Sequence, residues 1–520
     1  LATQNLSTTA AGKAMEQAAA RVAANDVALS GMLRTRQELA DVLAQLQGAF
    51  SKFVLQDGAA SEAKVAETQS KIDAIRKQIS EIDQKLLDEF PAFQELTDPL
   101  PMSRHDVQSI LGDREAMVLT LSTESYLYVW AIGKRHSAWH RADLPRADLD
   151  SRVRTLRAML DVTSDNRSAE SLDAGFVASV APFDRAMAYE LYLDILAPVA
   201  HVLEDIDHLI SVVDAPLNSL PLAVLLTSPP QGADTSADDL RQSDWLIRKY
   251  AMSTLPNVSS LRSLRRARPE ASPSTEKHPF IGFGNPVLGY QDDLDGQGVT
   301  LGEGVVTRGV YEQVSRVANL APLPFTEIEL RAQADVMGVG SESIFLASNA
   351  TEARVKQSDL SNTQVLAFAT HGLVSGGLVG LEEPALVFTP PMSPTSTDDA
   401  LLTASEAAQL KLSADLIILS ACNTAAGDGT PGAEGLSGLA RSFIFAGARS
   451  ILVSHWPVDD YATSALTTGM LSHLQAETPV GRSKALQASI LELLDNSDDN
   501  RHSHPRFWAP FVLVGEGAID

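Results

Sequence analysis

The sequence has a single cysteine, Cys422, in 520 residues, so neither an intramolecular disulfide framework nor a multi-cysteine zinc site can form. A reducing, cytoplasmic compartment fits that scarcity. Positive charge is also short: 41 Lys and Arg stand against 66 Asp and Glu, a formal charge of -25, which repels phosphate backbones and anionic lipid surfaces. Direct nucleic-acid binding is not expected. No apolar run approaches the roughly 20 residues of a membrane helix, so no membrane span is expected either. The first stretch lacks the basic start and apolar core of a secretory signal. Opening at Leu1 rather than methionine, the chain reads as a fragment of a longer protein.

What is present is ordinary for a globular chain, 44% hydrophobic and 21% charged residues, and the length implies two or three domains. From Thr9 to Leu87 the sequence is rich in Ala, Gln, Glu, Lys and Leu, broken near Gln56-Asp57-Gly58. This reads as a helical hairpin, residues 1–98 in all. Val65, Ile72, Ile75, Ile79, Ile82 and Leu86 recur at three- and four-residue spacing and form one packing stripe. The hairpin is a spacer or an arm for a regulatory protein partner.

An α/β half follows over residues 99–264, with strands read at Ala116–Ser122, Ser125–Ile132 and Leu209–Asp214. Residues 265–279, RRARPEASPSTEKHP, have the polar, Pro-rich texture of a linker. Over residues 280–520, apolar runs at Phe280–Gly284, Ser343–Ala347, Val365–Ala369, Leu416–Ser420 and Ser450–Ser454 alternate with helical sequence. The expected fold is α/β, a largely parallel sheet with helices on both faces.

In such sheets functional residues gather at the carboxyl ends of strands. Two runs end in reactive side chains, His371-Gly372 and Ala421-Cys422. A thiolate nucleophile needs an imidazole to move protons, and neighbouring parallel strands can present both at one rim. Gly372 leaves backbone room, so its N–H and that of Cys422 are candidate oxyanion donors. Either residue alone is more often structural; the matched strand ends, 51 residues apart, make them a candidate pair.

The stretches Val365-Leu-Ala-Phe-Ala-Thr-His371-Gly372 and Leu416-Ile-Ile-Leu-Ser-Ala-Cys422-Asn-Thr-Ala resemble the paired signatures of CHAT domains, relatives of caspases and separase. Further blocks are similar in the same order, including Asp214-Ala-Pro-Leu-Asn-Ser-Leu-Pro-Leu, Gly282-Phe-Gly-Asn-Pro286, Gly435-Leu-Ser-Gly-Leu-Ala-Arg441 and Trp456-Pro-Val-Asp-Asp460. The resemblance implies a caspase-like fold, in which a pseudo-protease half precedes the catalytic half, and a thiol endopeptidase making limited cuts in a protein substrate. Cys422 would attack the scissile carbonyl and His371 would protonate the leaving amine, with no metal and no organic cofactor. It also implies helical repeats upstream, as in TPR-CHAT proteins, and a defence or signalling role.

The same resemblance places Trp456, Asp459 and Asp460 at a substrate-binding wall, with Asp460 selecting a basic residue. The alternative is that the two acids cap the helix starting near Tyr461. His455 stands where leucine is expected and reads as a packing or polar residue. Arg441 is given no chemistry. The stretch from Phe388 to Thr403, with Asp398-Asp399, reads as a loop able to gate the site, and Arg265, Arg266 and Arg268 as candidate self-cleavage points. Two rivals remain: a catalytically silent adapter, and a small-molecule hydrolase that the lack of a Gly-x-Ser-x-Gly elbow disfavours.

Overall fold

The computed structural model describes residues 59–89, 102–161, 181–266, 277–288, 320–373, 384–420 and 438–518, with short gaps at 215, 256–257, 396–397, 457–458 and 479, plus positions 317 and 381 and isolated positions between 32 and 46. The Gly- and Pro-free run Ala59–Glu89 is one helix, α1. On it Ile72 is buried and Ile75, Ile79 and Ile82 are half-buried between exposed neighbours, which is the stripe read from the spacing. The described positions between 32 and 46 are helical too; the Gln56-Asp57-Gly58 turn and the side chains of Val65 and Leu86 lie outside the described residues.

Past a capping box between Ser103 and Asp106, α2 (Arg104–Ile110) leads into β1 (Glu115–Ser122), β2 (Leu127–Gly133) and β3 (Ser137–Ala142), an antiparallel meander. Then come α3 (Arg146–Leu160), α4 (Arg185–Ile195), β4 (His208–Val212), β5 (Ala251–Thr254) and α5 (Val258–Arg266). The second half supplies β6 (His278–Pro286), α6 (Phe325–Val336), β7 (Ile344–Ala347), β8 (Thr363–Ala369), β9 (Gly372–Leu373), β10 (Ala385–Val387), β11 (Leu401–Thr403), β12 (Leu416–Leu419), α7 (Gly438–Ala446), β13 (Ser450–Ser454), α8 (Asp460–Leu474), α9 (Arg482–Asn496) and β14 (Phe511–Gly515).

Eleven strands form one sheet in the order β3-β2-β1-β4-β5-β14-β13-β12-β8-β6-β7. Strands β13, β12, β8, β6 and β7 are mutually parallel, as are β1, β4 and β5. Their centres are buried on both faces, which is why β12 reads as an unbroken apolar run and β4 and β13 as mostly apolar ones. One face is packed by Trp245, Trp456 and Trp508, all fully buried, with Trp245 and Trp508 centroids 5.3 Å apart. On the other, Phe368 stacks on Phe283 at 5.6 Å and lies 5.1 Å from Phe443.

The expected α/β sheet with helices on both faces is what the chain forms, and both halves share it. Strands β3, β5 and β14 were not anticipated; β14, from the end of the chain, meets β5 through Val514 and Thr254 and so joins the halves. The stretch read as linker overlaps structure at both ends. His278 opens β6, and Arg265 sits in α5 with its guanidinium 2.8 Å from Glu115 and from Glu516. Helical backbone and a paired side chain make Arg265 a poor cleavage point; 267–276, with Arg268, lie outside the described residues. The Phe388 to Thr403 stretch is likewise built rather than bare loop. Phe388 N donates to Ala400 O at 2.8 Å, Asp399 N donates to Glu352 at 2.8 Å, and β9, β10 and β11 make a small sheet of their own.

Candidate functional site

The carboxyl ends of β6, β8, β12 and β13 meet at one rim of the sheet. Strand β6 ends close against its neighbours: a Cβ on Gly284 would come within 2.6 Å of both Ala369 O and Leu330, so only glycine fits there. Asn285, at φ 47, then turns the chain, its N–H donating to Thr326 and its side-chain amide to Glu327 at the start of α6.

Strand β8 delivers Thr370, His371 and Gly372. The Thr370 hydroxyl donates to Val387 O, and Val387 N donates to His371 O at 3.0 Å, so the β10 backbone grips this turn. His371 Nε2 lies 2.7 Å from Ala321 O. A carbonyl only accepts, so Nε2 carries a proton. Since His371 and Val387 occupy a hydrogen-bonded position of the antiparallel ladder, Gly372, opposite Leu386, falls at the next, non-hydrogen-bonded one. Its N–H is turned away from β10.

Strand β12 ends at Ser420, whose N–H donates to Phe368 O at 3.0 Å. Its hydroxyl donates to Glu329 at 2.6 Å. Cys422 lies outside the described residues. Leu419 pairs with Phe368 across β12 and β8, so in sequence Cys422 and His371 each follow a matched position by three residues.

Strand β13 ends in His455 and Trp456. Both are buried. The Trp456 indole donates to Arg506 O at 2.8 Å, and the Arg157 guanidinium stacks on its ring at 4.7 Å while also donating to His455 O. Trp456 therefore backs the wall from inside and offers no face to a ligand. Burial, with Arg157 beside it, pushes the His455 imidazole down to about 3, so it is neutral and no acid–base partner at physiological pH. Asp459 caps α8, its carboxylate accepting from Tyr461 N at 3.0 Å and Ala462 N at 3.2 Å. Asp460 begins the helix on its exposed side, its carboxyl raised by the surrounding protein and by Asp459.

Glu329 is the residue the sequence reading missed. It is 3% exposed on α6 and takes hydrogen bonds from Ser420, Gln333 and Thr467 at 2.6, 2.8 and 2.9 Å. Burial pushes its carboxyl up to about 7 against those three donors, with the charge of Asp460 adding to the rise. A signal did exist: Thr326, Glu329, Leu330, Gln333 and Ala334 recur at helical spacing, so three polar residues share the buried stripe of α6.

A largely parallel sheet thus brings an imidazole, a glycine and acidic side chains to one rim of an α/β domain. The CHAT domain model matches residues 185–516, and the chain belongs to that family. Tetratricopeptide repeat protein 28 of Mus musculus is 28% identical over 317 residues, 52% of this chain and 11% of that protein. Its Homo sapiens counterpart is 26% identical over 351 residues, 59% and 12% respectively. The chain thus spans about a tenth of the length of these curated relatives. Among solved structures it is similar to the Saccharomyces cerevisiae separase–securin complex, with 11% identity and a TM-score of 0.41 over 94% of this chain and 37% of that one. The Arg-specific cysteine proteinase gingipain R follows at 8% identity and a TM-score of 0.35 over 78% of each chain. Among the described residues no helix is long and apolar enough to cross a membrane, and no cluster of His, Cys, Asp and Glu is arranged to hold a metal ion.

Proposed function

We propose that the chain is a cysteine endopeptidase making limited cuts in a partner protein, with Cys422 as nucleophile and His371 as proton-transfer partner. The observation that carries this reading is the β8–β12 register: each residue follows the matched pair Phe368 and Leu419 by three positions. The Nε2 tether to Ala321 supports His371 in this role, because it fixes the orientation of the imidazole at the strand end. The Gly372 N–H, unused by β10, supports its role as an oxyanion donor alongside the Cys422 N–H. With Asp459 occupied as a helix cap, Asp460 is the acid left to favour a basic residue in the substrate.

The membership in the CHAT family and the tetratricopeptide-repeat relatives support a place for this chain at the C-terminal end of a repeat protein. The α1 stripe gives an upstream sensor or a regulatory protein a surface to act through. The test is cleavage of a partner protein by wild type, Cys422→Ala and His371→Ala, with melting curves to confirm the fold. Both variants lose cleavage; comparable cutting by either one overturns the dyad. A silent adapter is distinguished by failure of Cys422 to react with any electrophilic peptide probe.

A further inference from the structure

Glu329 is a buried acid with no cation. Among the described residues no Lys or Arg pairs with it, and its partners are two hydroxyls and an amide. Three neutral donors offset only part of the cost of burying a carboxylate. All three converge on Oε1, which leaves Oε2 without a hydrogen bond among the described residues. A half-used carboxylate in the interior lacks one partner, and its chemistry asks for a positive one.

Its location says where that partner comes from. Glu329 joins the end of β12, through Ser420, to α8, through Thr467. Ser420 stands two residues before Cys422. Asp460 opens α8, on the same helix face as Thr467 and about 10 Å above it at 1.5 Å rise per residue, and its charge reaches Glu329. One acid is exposed at the helix start and the other is buried beside Thr467, two turns further along.

We infer that Glu329 is the deep specificity-determining residue of the site, receiving the cationic end of a substrate Arg or Lys that Asp460 guides in from the rim. This rests on the peptidase reading above and extends it to a second acid. The proton balance is simple. The neutral acid gives its proton to solvent as the guanidinium or ammonium arrives, leaving a carboxylate paired with a cation. Affinity for a basic residue therefore rises with pH through about 7, and affinity for an uncharged one does not. Asp460, itself raised, is present in both wild type and Glu329→Gln, so the difference in slope between them belongs to Glu329; the remaining charged groups nearby do not supply it. Asp459 is committed to its cap, His455 is neutral, and Glu327 pairs with Arg331 and Asn285 at the outer side of α6.

The test compares two electrophilic peptide probes differing only in Arg against its uncharged isostere citrulline, read as second-order labelling of Cys422 by intact mass from pH 6 to pH 8.5. Glu329→Gln keeps an acceptor for Ser420 and Thr467 while removing the charge. In wild type the Arg-to-citrulline ratio climbs with pH; in the variant it falls by roughly tenfold or more and becomes flat. If Glu329→Gln fails to fold, Glu329→Asp serves instead, keeping the charge and the pH slope at a lower ratio. An unchanged ratio and slope in Glu329→Gln overturns the role of Glu329 while leaving the peptidase intact. Labelling by neither probe in wild type overturns the peptidase reading and this inference with it.

Discussion

Replacing Arg265 by methionine keeps the aliphatic stem and removes the charge that joins three distant segments. Its guanidinium lies 2.8 Å from Glu115 at the start of β1 and 2.8 Å from Glu516 just past β14. The two acidic side chains are only 10% and 4% exposed. Burial alone would raise both carboxyls. Hydrogen bonds from His208 and Arg265 nevertheless hold Glu115 well below the usual range, and Arg265 does the same for Glu516. Breaking a buried pair by removing one partner costs about 3–5 kcal/mol. Because His208 and Gly112 still serve Glu115, and Ala518 still serves Glu516, the low end applies. At about 2.1 cal/mol/K of unfolding entropy per residue, a unit of this size shifts by about 1 °C per kcal/mol, a fall in Tm of about 3 °C. The pH dependence has a definite sign. In wild type the depressed carboxylates stabilise the fold above the unfolded carboxylate range, and that contribution is lost as pH falls through their folded values. In Arg265→Met the folded values rise, so the penalty is largest at neutral pH and shrinks on acidification. Differential scanning calorimetry of both proteins at pH 7.5 and at about pH 3.5, below the unfolded carboxylate value, checks this. A loss below about 1 °C, or an equal loss at both pH values, refutes the assignment of Arg265 as the cation between these acids.

Asp459→Ala removes the two capping bonds of α8 and costs about 1 kcal/mol by urea denaturation; no measurable change would mean that the cap is not what Asp459 does. His455→Leu tests the buried imidazole. A histidine held down at about 3 in the fold loses stability as pH falls below its unfolded value near 6.5, by about 2 kcal/mol at pH 5. The leucine variant lacks that term, so its urea midpoint drops less between pH 8 and pH 5, and parallel drops in the two proteins would exclude it.

Much of the catalytic half was legible because fully buried parallel strands carry their signal locally. Leu416–Leu419 and Ser450–Ser454 are buried along their whole length and apolar at their centres, and the sheet puts them where the runs predict. Strands β3 and β5 were not, since Ser137-Ala-Trp-His-Arg-Ala and Ala251-Met-Ser-Thr are short and carry polar residues. Their pairing is decided by neighbours from far along the chain. The same holds for Arg265, which looks like linker until partners 150 and 251 residues away in sequence are in place. At the site, His371 and Gly372 stood out as a strand-end motif. Glu329 did not, because a lone Glu in a helix reads as surface unless its whole stripe is followed. Trp456 was placed in the right segment with the wrong exposure: sequence adjacency to Asp460 says nothing of which way a ring turns.

The burial of Trp456 changes what the first half of the chain is for. Arg157, on α3 of the first half, covers the Trp456 ring at 4.7 Å and holds the His455 carbonyl, while Trp456 itself is anchored on Arg506 O at 2.8 Å. These contacts fix the end of β13, three residues before the Asp459 cap and four before Asp460. A guanidinium stacked on a buried indole and tied to a backbone carbonyl is a rigid joint, worth more than an exposed pair because both groups are desolvated. The acid proposed to select substrate is therefore aimed by a helix that belongs to the other half of the sheet. Any shift of α3 relative to β13 moves the specificity wall before it moves His371, which β10 and Ala321 hold from the opposite side. A signal arriving through the first half would thus reach substrate selection more directly than the chemistry.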